Sequence, residues 1–148
     1  MYRDWVFLHL AGVLAFLAAH GVSAAVGLRV RRERDRQRIR ALLELSAGTR
    51  MLSNVSLLVL LAGGIGAGVS GQWFGKGWIW AALGLLVALT AATVPVAVPY
   101  YRRVRRALDD ATDEEVAELL DSPRPVILAW LGSAVLLAIL WLMVFKPF

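Results

Sequence analysis

The sequence contains no cysteine, which excludes disulfides, thiolate metal sites and cysteine nucleophiles at once. Charge is scarce over most of its length. Of 16 basic and 11 acidic residues, only Arg3, Asp4, Lys76 and Lys146 lie outside residues 29–50 and 102–125. There is no phosphate-binding GxxxxGK[ST] loop, no HExxH pair and no serine with an acid–base partner in view. Hydrolase, nucleotide-driven and metalloprotease chemistry therefore have no residues to carry them.

What fills the chain instead is apolar. Hydrophobic residues make up 59% of the 148, with a mean hydropathy of +0.64, against roughly 45–50% apolar residues in an ordinary soluble domain. Four stretches, about 5–28, 51–70, 78–101 and 126–145, are almost or wholly uncharged. Each reaches the roughly 20 residues a helix needs to cross a hydrocarbon core about 30 Å thick. In lipid the backbone must satisfy its own hydrogen bonds, and Leu/Ala-rich runs without strand-like alternation can do so only as helices. The expected fold is all-α: a single transmembrane domain, residues 1–148, forming a four-helix bundle. The first stretch is too long for the apolar core of a signal peptide and runs into arginines that would stop transfer, so it reads as a mature helix.

Orientation follows from loop charge. Residues 29–50 hold eight arginines and 102–125 hold five, leaving three basic residues elsewhere. By the positive-inside rule both charged loops lie in the cytoplasm and both termini outside, a multi-pass arrangement in a cell inner membrane. The high pI, about 10.4, points to anionic membrane lipids as partners and not to nucleic acid, because the basic residues crowd the ends of membrane helices.

The basic block RVRRERDRQRIRALLELSAGTR predicts a continuation of the first helix, with Ile39, Leu42, Leu43 and Ser46 on one face and a break at Ala47-Gly48-Thr49. The second block turns from YYRRVRRA to the acidic DDATDEEVAELLDSP. Thr112 and Glu115 have capping-box spacing, which predicts a short acidic helix folding against the arginine block through Glu114, Glu115 and Glu118. In the second span Gly64 and Gly68 form a GxxxG pair suited to close helix packing within the chain or between copies. Trp73, Trp78 and Trp80 mark an interfacial aromatic belt. Pro95 and Pro99 predict a kink in the third span, freeing the carbonyls of Ala91 and Pro95, with Thr90 and Thr93 near enough to compensate.

Only two ionisable side chains fall within the spans, His9 and His20. Intramembrane ionisable residues are functional hypotheses by default. Eleven residues separate them, about 20° around the helix axis and roughly 16 Å along it, so they share a face with Gly12, Phe16, Ser23 and Gly27. They can serve packing, bonded to neighbouring carbonyls or to Ser53, Asn54 or Ser56. They can also serve as imidazole ligands for copper or haem iron, as haem b for example, in a site that one helix cannot close and that a parallel homodimer would complete. No carboxylate lies in the spans to extend a proton relay.

The pattern HLAGVLAFLAAHG, the arginine-rich loop, the glycine-rich second helix and a third helix ending PYYRRVRRA resemble the bacterial predicted integral membrane proteins related to copper-resistance protein D. The resemblance implies a four-helix bundle in the bacterial inner membrane and carries an early histidine followed by glycine onto His9 and Gly12. This chain has Phe16 and Ala18-Ala19 where relatives show Trp and paired glycines, and it lacks Met- and Cys-rich copper ligand sets. The reading is a non-enzymatic membrane or accessory subunit, in a homo-oligomer or a larger complex. The alternatives are haem or copper binding by the first helix and an oligomeric transporter or channel.

Overall fold

The computed structural model describes residues 1–148 and is almost entirely helical. α1 runs Tyr2–Arg32, α2 Arg36–Ser70, α3 Gly77–Asp110, α4 Asp113–Leu120 and α5 Arg124–Phe145. α1, α2, α3 and the α4–α5 unit are each long and apolar enough to cross a membrane, so the chain is an integral membrane four-helix bundle. At 31 to 35 residues and about 1.5 Å per residue, α1, α2 and α3 overrun a hydrocarbon core of about 30 Å. The overrun is the arginine-rich end.

The junction of α1 and α2 departs from expectation. The basic segment is divided between the two helices: Arg29–Arg32 continue α1, the break falls at Glu33–Asp35, and the remainder from Arg36 onward belongs to α2. Asp35 is the N-cap, its side chain accepting from the backbone N–H of Arg38 at 3.0 Å. The Glu33 carboxylate accepts from the N–H groups of Arg34 and Asp35 at 3.0 and 3.2 Å, and these bonds hold its pKa below the ordinary glutamate value. These acceptors satisfy donors that a new helix would leave unpaired. Ala47-Gly48-Thr49 stays helical. One interior glycine costs about 1 kcal/mol, and Thr49 Oγ1 donates to the Ser46 carbonyl at 2.9 Å while meeting Ser23 Oγ of α1 at 3.2 Å.

The helices run up, down, up, down and associate mainly as two pairs, α1 with α2 and α3 with α5. The pairs are joined most firmly at the arginine-rich end, where Val26, Val30, Ile39, Leu43, Tyr100, Val104, Leu108, Val116 and Leu120 form one buried cluster. At the opposite end a smaller cluster of Trp78, Ala82 and Leu142 sits beside the 3₁₀ turn Trp73–Gly75. There Lys146 Nζ lies 4.3 Å from the Trp73 ring centroid, and the Trp80 indole donates to the Phe74 carbonyl at 3.0 Å.

α4 has the capping box its spacing predicts: Thr112 Oγ1 accepts from the Glu115 N–H, and the Glu115 carboxylate accepts from the Thr112 N–H. Its packing differs in detail. Glu114, Glu115 and Glu118 are exposed, and the ion pairs to the arginine block use aspartates: Arg34–Asp121 at 3.0 Å, Arg36–Asp113 and Arg40–Asp109 both at 2.7 Å. Val116 and Leu120 are the inward face, which turns the glutamates outward.

α3 continues through Pro95 and Pro99. Thr90 and Thr93 do not reach the carbonyls those prolines free. They donate one turn earlier, to Leu86 and Leu89 at 2.9 and 2.7 Å, the usual i−4 bond of a helical threonine.

Candidate functional site

His9 and His20 share a face of α1, yet they meet different helices. His9 Nδ1 lies 2.7 Å from the Leu60 carbonyl of α2. A carbonyl only accepts, so Nδ1 carries the proton and, in the neutral ring, Nε2 keeps the lone pair. The imidazole rests on Gly64, where an added Cβ would stand 3.0 Å from Nδ1. Beside it the main chain of His9 abuts Gly63 so closely that no side chain fits there. One turn along, a Cβ on Gly12 would meet the Leu60 nitrogen at 2.5 Å. Gly12, Gly63 and Gly64 thus form the crossing of α1 and α2. Gly68 faces Phe74 of its own chain.

His20 turns to α5. A Cβ on Gly132 would come within 2.5 Å of its Cε1, and its Nε2 is buried without a hydrogen-bond partner. Ser56, a sequence candidate for bonding a histidine, donates instead to the Leu52 carbonyl of its own helix.

The arginine-rich end holds the densest polar network. The last carbonyls of α3 have no intrahelical donor, and arginines of α2 supply one. Arg36 donates to the carbonyls of Leu108 and Ala111 at 2.8 and 2.6 Å, and Arg40 donates to Leu108 at 2.9 Å. Arg105 of α3 reciprocates with the Leu43 carbonyl at 3.0 Å. On the other side of the cap, Arg31 of α1 donates to the Asp121 carbonyl at 3.2 Å, and its buried Nε has no partner.

Residues 5–147 match the family described as predicted integral membrane protein, DUF2269. The chain belongs to that family. No curated protein and no solved structure matches it. DUF2269 membership spans all four helices, so the bundle and its polar groups lie within the family's own region.

In this DUF2269 chain the donors for a metal or haem iron do not converge. No three His, Cys, Asp or Glu side chains come together, and each histidine supplies one imidazole to a different helix pair, with His9 Nδ1 already bonded. A single chain does not close such a site.

Gly63, Gly132 and the arginine clamps are not singled out by the sequence. Gly63 was hidden by the GxxxG spacing of its neighbour. The clamps left one readable signal: arginines at 36 and 40 are one turn apart, the spacing that lets two side chains reach one helix end.

Proposed function

We propose that the protein is a non-enzymatic subunit of a bacterial inner membrane. Its termini are outside, its arginine-rich end is in the cytoplasm, and the middle of α3 docks against a second copy or a larger membrane complex. One observation supports this above the rest. α3 is anchored at Trp78 and Ala82 and again at Tyr100, Val104 and Leu108, but between Ala82 and Tyr100 none of its residues is buried. Val87, Ala91, Val94 and Val98 fall on one stripe of that segment and all are exposed.

The absence of cysteine makes the test direct. Single cysteines at Ala91 and Val94 are expected to cross-link to a copy or a co-purifying subunit in native membranes, whereas cysteines at Ile127 and Leu137, exposed on α5, are not. Equal labelling of both faces, with no cross-linked product, would remove the proposal.

A second reading follows from the sequence resemblance to proteins related to copper-resistance protein D: haem b or copper shared between two copies through His20. Its Nε2 has no hydrogen-bond partner within the chain, which supports the reading, and the ring must turn away from Gly132 to meet a second copy. It predicts a Soret band or stoichiometric copper in protein purified without chelator, lost in His20→Ala. Colourless, metal-free protein counts against it.

A further inference from the structure

At the arginine-rich end, between the last turns of α1 and the start of α5, lies an open cavity of about 930 Å³. Its polar wall is Arg29, Arg31, Arg32 and Arg34, and its inner wall includes Leu28 and Val126. One carboxylate, Asp121, faces these four cations, and it pairs with Arg34. The side chains of Arg29 and Arg32 make no hydrogen bond or ion pair within the chain, and Arg31 commits one guanidinium nitrogen to the Asp121 carbonyl. Four guanidiniums against one carboxylate leave three positive charges uncompensated in a concave site.

Part of this charge is explained by the end of α1, whose last turn is favourable for cations. That effect asks for basic residues near the carbonyls. It does not ask for a cavity, nor for two arginine side chains left unpaired on the wall of one. Arginine is the side chain suited to phosphate, through paired N–H donors. The volume falls in the range of about 300–1,000 Å³ found for ligand pockets.

The apolar wall decides the kind of phosphate. Leu28 and the adjoining Ile127 are exposed, at 44% and 58%, and lie just where the charged helix end gives way to the apolar span. A ligand filling the cavity would meet arginine at one end and the acyl region of a bilayer at the other. We infer that the cavity binds the phosphodiester headgroup of an anionic phospholipid, with the glycerol and upper acyl chains against Leu28 and Val126. Basic pockets between membrane helices hold such headgroups in the same manner.

The test uses the full chain in nanodiscs of phosphatidylcholine, alone or with added phosphatidylglycerol or cardiolipin, and reads retained anionic lipid by mass spectrometry after extraction into detergent. The variant is Arg29→Gln with Arg32→Gln, two side chains that hold nothing in the fold. The control is Arg102→Gln with Arg103→Gln, exposed and outside the cavity, which removes the same charge. At about 1 kcal/mol per arginine and about 1.4 kcal/mol per factor of ten, the variant should lower anionic-lipid affinity roughly thirty-fold and the control far less. An equal loss in both pairs would reduce the effect to diffuse surface attraction and overturn the site. Inorganic phosphate that competes the lipid away at millimolar concentration, or that alone stabilises the protein to the same degree, would make the ligand a soluble anion and overturn the lipid assignment.

Discussion

Glycines that look interchangeable in the sequence do different work in the structure. At Gly12 and Gly63 the backbone of a neighbouring helix occupies the place of a Cβ, while at Gly21 and Gly84 nothing lies within 4 Å. Gly12→Val or Gly63→Val must push α1 and α2 apart, an overpacking cost of about 1–3 kcal/mol or more. Gly21→Ala and Gly84→Ala should be neutral or stabilising by up to about 1 kcal/mol, since alanine is the better helix former. Thermal unfolding in detergent separates the two classes, and equal effects at all four positions would contradict the crossing described. The sequence showed that α2 carries small residues for close packing, because GxxxG spacing is local. It could not show that Gly63 is the position in backbone contact, since consecutive helical residues lie about 100° apart and only the partner's location tells which one faces it. His9 was readable in the same limited way: a helix-bonded imidazole was among the expectations, but the Leu60 carbonyl could not be chosen before the crossing was known.

Among the elements, α4 shows which force dominates. The three ion-paired aspartates in and around it are well exposed, Asp109 at the end of α3 at 66%, Asp113 at 84% and Asp121 just after α4 at 65%. Such pairs contribute about 0.2–1 kcal/mol each and weaken with salt. Leu120, fully buried, contributes through packing, and Leu120→Ala should cost about 2–5 kcal/mol. Asp109→Asn, Asp113→Asn and Asp121→Asn should each shift stability slightly, and Glu114→Lys with Glu118→Lys hardly at all. Limited proteolysis of residues 102–125 reads all of these, and rapid cleavage of the glutamate variant alone would reverse the assignment. The capping box was legible because Thr112 and Glu115 interact across three residues. The end of α1 was not, although Asp35 is an equally local signal. A long arginine run suggests continuation, and Gly48 suggests a stop that its solvent-facing, uncrowded position does not enforce.

For the whole molecule, the four spans and the all-α class could be read from uncharged length, because lipid leaves the backbone no alternative. The pairing of helices could not, since a small or polar stripe such as that of His9, Gly12 and Ser23 marks a packing face without telling which helix meets it. Packing is concentrated at the arginine-rich end. Leu108→Ala, inside the nine-residue cluster, should cost about 2–5 kcal/mol in solubilised monomer, whereas Val87→Ala, at an exposed position, should stay within about 0.5 kcal/mol. Similar losses at both would mean that α3 is held along its whole length.

The anchoring of α3 at its two extremities has a consequence for assembly. In the docking proposed above, a helix arriving at that midpoint would displace only hydrocarbon tails and break no existing bond, so the solitary and the assembled chain would share one conformation. Association is then governed by mass action in two dimensions. Under that proposal, raising expression would shift the population of complexes without refolding any member of them.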